Sequence, residues 1–240
     1  MSSEIQRNLD AVSARIDRAA QLAGRDPASV RLLAVTKTFP PSSAVAAFAA
    51  GVRNLGENRV EEAREKIPAV NSTLPPGSSL TWHLIGHLQR RKAREAAGLF
   101  DMIQSVDSVR LAESLDRAAA ESGKRLSILI QVNVARDPHK FGFIAEPREA
   151  FFDAIGRILA LPALEMRGLM TIGALVSDPE MARPFFRHLR ELAGELRVRF
   201  PNARWDELSM GMTDDFPVAI QEGATIVRIG RAIFGERNEK

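Results

Sequence analysis

Residues 31–41 read RLLAVTKTFPP and contain the unit from which the fold is predicted. The continuous apolar residues 32–35 predict a short buried strand. Pro40 and Pro41 end that strand, because proline cannot donate a hydrogen bond to a strand ladder. Lys37 follows at its C-terminal end, where an ammonium group interrupts an otherwise apolar stretch. This lysine is therefore a candidate for a functional position.

The same unit, an apolar run followed by a helical stretch, recurs along the chain. About eight strands alternating with helices favour a parallel sheet with crossover helices. A doubly wound sheet usually has fewer strands, whereas a (β/α)8 barrel typically takes about 250 residues. The length of 240 residues therefore predicts an α/β fold of the (β/α)8 (TIM) barrel type. The other seven runs are NLGEN (54–58), TWHLIG (81–86), DMIQSVD (101–107), SILIQVNV (127–134), EMRGLMTIG (165–173), WDELSMG (205–211) and TIVRIG (225–230).

An additional helix is predicted before the barrel, over residues 1–24, with Gly24 closing it. It is outside the strand–helix repeat, which we expect to occupy residues 30–235. No linker or shift in composition divides the chain, so we expect a single domain over 1–240. The apolar face of this helix is formed by Ile5, Leu9, Val12 and Ile16.

The composition is that of an ordinary globular protein, with 45% hydrophobic and 26% charged residues. The chain has no cysteine, which excludes disulfides and thiolate chemistry. A net charge of +3 is a weak argument for a nucleic-acid partner. The first ten residues, MSSEIQRNLD, do not resemble a signal peptide, and no apolar run approaches membrane-spanning length. We therefore expect a cytoplasmic protein that contacts neither membranes nor nucleic acids.

Polar residues and glycines recur where the predicted strands end. In (β/α)8 barrels these C-terminal ends meet at one face, and that face carries the catalytic or binding groups. The pattern predicts a functional site there, although a single polar strand end is ordinary. The residues concerned are Lys37, Glu57, Asn58, His83, Gly86, Asn133, Thr171, Ser209, Gly211, Arg228 and Gly230.

Lys37 has a specific chemical use at such a face. Near a low-dielectric wall and other cations, an ammonium group loses its proton more easily and the amine becomes nucleophilic. Such a lysine can form a Schiff base with an aldehyde. The alternative is a lysine whose charged head reaches water at the rim, and the residues alone leave both interpretations open.

Two late segments predict an anion-binding cradle. Residues 208–216 (LSMGMTDDF) and 227–235 (VRIGRAIFG) each place a glycine just after a strand and before a helix. Glycine lets backbone N–H groups approach an anion, and helix N-termini favour negative charge. Ser209 and Thr213 add hydroxyl donors, and barrels commonly bind phosphate after strands seven and eight.

Part of the first segment also fits helix capping. Thr213 is expected to be the N-cap of the following helix, with Asp214 and Asp215 in its first turn. Capping and anion binding use the same helix start, so both interpretations are kept. The two aspartates are assigned the structural role, because carboxylates are poor partners for phosphate.

Other motifs are weaker. His83 and His87 are four residues apart, a spacing that suits a metal only on a helix, and this segment is predicted to be strand and turn, so no metal site is predicted. The basic run at 87–94 (HLQRRKAR) is typical of a solvated face, with nucleic-acid contact as a minority interpretation. The chain lacks the G-x-S-x-G, G-x-G-x-x-G and P-loop patterns.

From about residue 30 to the C-terminus, the motifs resemble the pyridoxal phosphate homeostasis (YggS/PROSC) family. The resemblance implies a barrel like the N-terminal domain of alanine racemase that binds pyridoxal 5′-phosphate (PLP) without robust turnover. Arg91 departs from the family pattern, in which asparagine is usual. The matching motifs are LLAVTKTFP, NLGENRVEEAREK, WHLIGHLQRRK, VNVARDPHKFGF, MRGLMTIG, LSMGMTDDFPVAI and GATIVRIGRAIFGER.

The resemblance also implies roles for individual residues. Lys37 is expected to be the Schiff-base lysine, and Arg228 to face the pyridine nitrogen. The phosphate is expected around Ser209, the Met210 backbone, Thr213 and Gly230, with Asn58 beside the cofactor. The complete predicted cofactor site is Lys37, Asn58, His83, Ser209, Met210, Gly211, Thr213, Arg228 and Gly230.

Two functions remain in competition for this site. The first is a PLP carrier or buffer in vitamin B6 homeostasis, a monomer that hands PLP to apo enzymes. The second is an amino-acid racemase that uses the same lysine. Two-base racemisation needs an acid or base on each face of the α-carbon. Alanine racemase supplies a tyrosine there, whereas this chain has no tyrosine, so we expect the carrier.

Overall fold

The computed structural model describes residues 2–173 and 176–236 and confirms the predicted (β/α)8 barrel. Its strands are all parallel and follow one another around the barrel in sequence order, and β1 closes the ring by pairing with β8. The strands are β1 (Arg31–Val35), β2 (Asn54–Glu57), β3 (Thr81–Leu84), β4 (Met102–Val106), β5 (Leu126–Gln131), β6 (Leu164–Met170), β7 (Glu207–Ser209) and β8 (Ile226–Ile229).

Each strand is followed by at least one helix, as the alternation of apolar runs and helical spacing predicts. The helix before the barrel is also confirmed, and its predicted apolar face is buried against α8 and α9. The helices are α1 (Ser2–Leu22), α2 (Pro41–Ala49), α3 (Val60–Asn71), α4 (Ala93–Leu99), α5 (Val109–Glu121), α6 (Arg148–Leu159), α7 (Arg183–Arg199), α8 (Phe216–Gln221) and α9 (Arg231–Phe234).

Side chains alternate between the barrel interior and the layer under the helices, as the two-residue period of a strand requires. Leu33 and Val35 of β1 belong to a small interior cluster that also contains Met102 and Leu129. Ala34, between them, belongs to the larger core shared with the helices. The interior is therefore filled, and a site can form only at an end of the barrel.

Several strands end earlier than the sequence predicts. β1 stops at Val35, so Lys37 lies in the turn that follows rather than in the strand. β3 stops at Leu84, and Gly86 then passes close to the backbone of Asn58. The apolar runs continue past the last ladder bonds because the rim is itself partly buried.

The expected capping by Thr213 is wrong. Helix α8 begins at Phe216, and Asp215 occupies the N-cap position. The Asp215 carboxylate accepts a hydrogen bond from the backbone N–H of Met212 at 2.6 Å, which folds residues 212–215 into a turn before the helix. Thr213 lies within this turn, where its side chain contributes to the barrel rim. Among the described helices, none has the length and apolar character needed to cross a membrane.

Candidate functional site

A cavity of about 900 Å³ opens at the C-terminal ends of the strands. Five of the nine predicted site residues line it: Lys37, Asn58, Thr213, Arg228 and Gly230. They come from four loops or strand ends, so the barrel brings together groups that are far apart in sequence. The rest of the described lining consists of Val35, Phe39, Ile85, Gly86, His87, Phe141, Ile172, Met212, Asp214, Arg231, Gly235 and Glu236.

Arg228 is a buried cation in this cavity, with only 4% of its surface exposed. Its guanidinium donates one hydrogen bond to Ser209 Oγ at 2.8 Å and another to the carbonyl oxygen of Thr171 at 2.7 Å. Both acceptors are neutral. Burial lowers the pKa of Arg228 to about 10, while the Asp215 carboxylate opposes this shift. Arg228 therefore remains charged at neutral pH and is held in one orientation.

A chain of hydrogen bonds leads from Arg228 through the barrel interior. Ser209 Oγ donates to Gln104 Oε1 at 2.6 Å, and Gln104 Nε2 lies 3.0 Å from His83 Nδ1. His83 Nε2 in turn lies 3.3 Å from Asn54 Oδ1. Because β4 and β7 are not neighbours in the barrel, the bond between Gln104 and Ser209 crosses the interior. We call these five side chains the interior chain.

The direction of the interior chain is set by Arg228, which can only donate. Ser209 accepts from Arg228 and donates onward, so Gln104 presents its oxygen to Ser209 and its NH₂ group to His83. Nδ1 of His83 therefore accepts, and Nε2 carries the proton towards Asn54. Burial, with a smaller effect of the Arg31 charge, lowers the pKa of His83 to about 3. The imidazole is thus neutral at physiological pH.

Four predicted site residues are buried outside the lining formed by the described residues. Two are the interior-chain members His83 and Ser209, whose polar atoms are already hydrogen-bonded. The N–H of Met210 donates to Ile226 O at 3.1 Å, and Gly211 packs against Phe216. Their contact with a bound ligand stays a prediction. Among the residues predicted to contact the phosphate, Thr213 and Gly230 line the cavity.

Gln104, which links Ser209 to His83 in the interior chain, was not among the predicted site residues. The available signal was a glutamine in the middle of a strand whose five residues are all buried. His83 was predicted as a site residue and His87 was not, but His87 is the one that lines the cavity. The His87 ring stacks on Phe141 with centroids 3.6 Å apart, and its Nδ1 lies 3.0 Å from Asp107 Oδ2.

The described residues contain no group of three or more histidines, aspartates or glutamates placed to hold a metal ion. Of the other polar strand-end residues, Asn133 donates to the carbonyl oxygens of Asp137 and Lys140. Thr171 donates to Val132 O at 2.8 Å. These two side chains therefore shape the loops around the cavity.

We expect His83 to make folding stability depend on pH. The unfolded chain binds a proton at this histidine below about pH 6.5 and the folded chain only near pH 3, so stability falls as the pH is lowered between these values. At pH 4.5 the loss from this residue is roughly 3 kcal/mol relative to pH 7.5. Urea unfolding of the wild type and of His83→Gln, each at the two pH values, measures this loss of stability. Equal losses in the two proteins would contradict the assignment.

Comparison with known proteins places the chain in a family. The model of the alanine racemase N-terminal domain matches residues 7–238. The pyridoxal phosphate homeostasis protein of Pseudomonas aeruginosa is 42% identical over 236 residues, which cover 98% of this chain and 97% of that protein. The protein of the same name from Haemophilus influenzae is 41% identical over 234 residues, covering 98% of this chain and 96% of its relative.

A solved structure agrees with these matches. PipY of Synechococcus elongatus, determined with PLP bound, superimposes with a TM-score of 0.79 at 40% identity. The match covers 92% of this chain and 100% of PipY. Both the fold and the near-complete coverage at about 40% identity confirm the resemblance noted in the sequence motifs. The chain belongs to the alanine racemase N-terminal domain family and, within it, to the pyridoxal phosphate homeostasis proteins.

Proposed function

We propose that this protein binds PLP in the rim cavity and holds it through Lys37. The observation that carries the proposal is that Lys37, Arg228, Thr213 and Gly230 line one cavity at the C-terminal face of the barrel. These groups fit PLP: an amine for its aldehyde, a hydroxyl and a glycine backbone for its phosphate, and a guanidinium for its ring nitrogen. That PipY was determined with PLP bound supports PLP as the ligand.

Each residue has a distinct part in this proposal. Lys37 would supply the amine for the PLP aldehyde, with loss of one water molecule. Thr213 and the backbone at Gly230 would hold the phosphate. Arg228, charged and unable to accept a proton, would face the ring nitrogen and favour its unprotonated form. When bound, PLP acts as an electron sink, and it is a weaker one beside arginine than beside a carboxylate.

The weakened electron sink favours storage of PLP over catalysis. We infer that the whole chain works as one cytoplasmic, monomeric unit that buffers PLP in vitamin B6 homeostasis and releases it to apo enzymes. The names of the relatives from Pseudomonas aeruginosa and Haemophilus influenzae support the homeostatic role. Titration of the purified protein with PLP tests the binding step. A new visible absorption band that shifts on borohydride reduction, with a matching mass increase, is the expected result; an unchanged spectrum would contradict it.

Thr213 and Ser209 are expected to respond differently to substitution. Thr213→Val removes a hydroxyl donor from the cavity surface and is expected to weaken PLP binding by roughly 1.5 to 3 kcal/mol, about ten- to a hundredfold in affinity. Stability without PLP is expected to stay unchanged.

Ser209→Ala interrupts the interior chain and is expected to lower the free energy of unfolding by about 1 to 3 kcal/mol even without PLP. Urea unfolding and PLP titration of both variants separate the two roles. A stable Ser209→Ala protein would contradict the interior chain.

A racemase is the second candidate, and one observation favours it: His87, which pairs with Asp107, lines the cavity that contains Lys37. We nevertheless expect little racemisation, because Arg228 limits the delocalisation of negative charge into the ring. Chirality of L-alanine incubated with the PLP-loaded protein is the measurement. Turnover at the usual enzymatic rate of about 1 to 1,000 per second, lost in Lys37→Ala, would favour the racemase.

A further inference from the structure

Helix α3 carries a lysine on its buried face. Lys66 is 3% exposed and lies between the core residues Ala63 and Val70. Its ammonium group donates to the carbonyl oxygen of Thr36 at 2.6 Å, to Glu57 Oε1 at 2.8 Å and to Glu62 Oε1 at 2.6 Å. An ammonium group has three N–H donors, so these bonds account for all of them.

The same carboxylates bind the turn that contains Lys37. The Thr36 hydroxyl donates to Glu57 Oε1 at 2.5 Å, and the backbone N–H of Thr38 donates to Glu62 Oε1 at 2.6 Å. Both neighbours of Lys37 are therefore tied to one cluster. Thr38 has φ of +67°, a left-handed conformation that a threonine adopts only when its surroundings impose it. The bond to Glu62 is the contact that holds it there.

This cluster places charged groups in the protein interior, where they lose their hydration. Burial raises the pKa of Glu57, and the attraction of Lys66 only opposes that shift. Buried ion pairs are often no more stabilising than apolar side chains of the same volume. An apolar residue at position 66 would complete the face of α3, but it would leave the Thr36 carbonyl and both carboxylates without this donor. The cluster of Lys66, Glu57 and Glu62 is therefore better suited to fixing the 36–38 backbone than to adding stability.

We propose that Lys66, acting through Glu57 and Glu62, is a positioning residue that fixes the 36–38 backbone so that the Lys37 side chain enters the cavity. This inference rests on the proposed function, in which Lys37 bonds covalently to PLP. In this role Lys66 itself does not touch PLP. The restraint acts on the residues on both sides of Lys37, whose own side chain lines the cavity.

The test compares Lys66→Met with the matched control Lys92→Met. Lys92 also pairs with a glutamate of α3, Glu61, but does so at the surface. The first readout is the rate at which PLP forms a borohydride-trapped adduct on Lys37, located by peptide mapping. The second is hydrogen exchange of the Thr38 amide in the PLP-free protein.

For Lys66→Met we expect adduct formation to slow by about tenfold or more and Thr38 exchange to accelerate, with Lys92→Met unchanged in both. If Lys66 only stabilised the fold, Lys66→Met would lower the unfolding midpoint but leave the adduct rate of the folded protein unchanged. That result would overturn the proposal. If Lys66→Met does not fold, Glu62→Ala, which removes the acceptor of the Thr38 amide, must show the same two changes. If the wild type forms no adduct on Lys37, the proposed function fails, and Thr38 exchange alone decides the positioning role.

Discussion

Lys37→Ala is expected to abolish the covalent adduct with PLP completely. Alanine has no amine, so the C=N bond cannot form at this position, whereas the phosphate contacts that we propose for Thr213 and Gly230 would remain. Binding should therefore persist only weakly and be lost on dialysis. The measurement is the mass of the protein after incubation with PLP and borohydride reduction, followed by peptide mapping.

The matched control for this prediction is Lys124→Ala. Lys124 is exposed after α5, and its ammonium group donates to the carbonyl oxygen of Gly98 at 3.4 Å. The control variant should form the adduct at the wild-type level. An adduct that maps to another lysine in the wild type, or that persists undiminished in Lys37→Ala, would show that the covalent site has been assigned to the wrong residue.

Gly86→Ala is expected to lower stability strongly. A Cβ atom at Gly86 would lie 2.2 Å from the carbonyl oxygen and 2.8 Å from Cα of Asn58. Both atoms belong to the backbone, so no side-chain rotation relieves the clash. We expect the free energy of unfolding to fall by about 3 kcal/mol or more. The displacement of Asn58, which lines the cavity, should also weaken PLP binding.

Gly98→Ala is the control for adding a methyl group to glycine. Gly98 lies in α4, and a Cβ atom there would meet nothing within 4 Å. The control is expected to raise the free energy of unfolding by about 0.5 kcal/mol, because alanine favours the helix. Urea unfolding of both variants gives the comparison. A Gly86→Ala protein as stable as the wild type would mean that Asn58 and Gly86 can move apart freely.

The barrel was predictable because its signal is local and repeated. Each strand is a short apolar run, and most runs carry at or near their end a polar residue or a glycine that marks the rim. Lys37, Asn58 and Arg228 could therefore be assigned to one face before any contact was known. The pattern did not predict the exact ends of the strands. The apolar run TWHLIG continues to Gly86, whereas strand β3 ends at Leu84.

The connections within the site were not predictable, because they depend on contacts that sequence spacing does not encode. Gln104 and Ser209 are 105 residues apart, and only the closed barrel makes their side chains meet. Ser209 was predicted as a hydroxyl for an anion, and its bond to Arg228 could not be read from sequence spacing. Lys66 gave a partial signal, since a lysine among Ala63, Ile67 and Val70 interrupts an apolar helix face. Its partners on the Lys37 turn come from other elements.

The fixed direction of donors and acceptors along the interior chain should be visible by nuclear magnetic resonance. His83 should exist as a single tautomer, with a slowly exchanging Nε2 proton that stays visible across the neutral range. Replacing Arg228 by glutamine would place at the head of the chain an amide that can both donate and accept. The order could then reverse, and the proton of His83 would be shared between its two ring nitrogens. The sharpness of that one imidazole signal would report, from inside the barrel, whether the cation at the rim is in place.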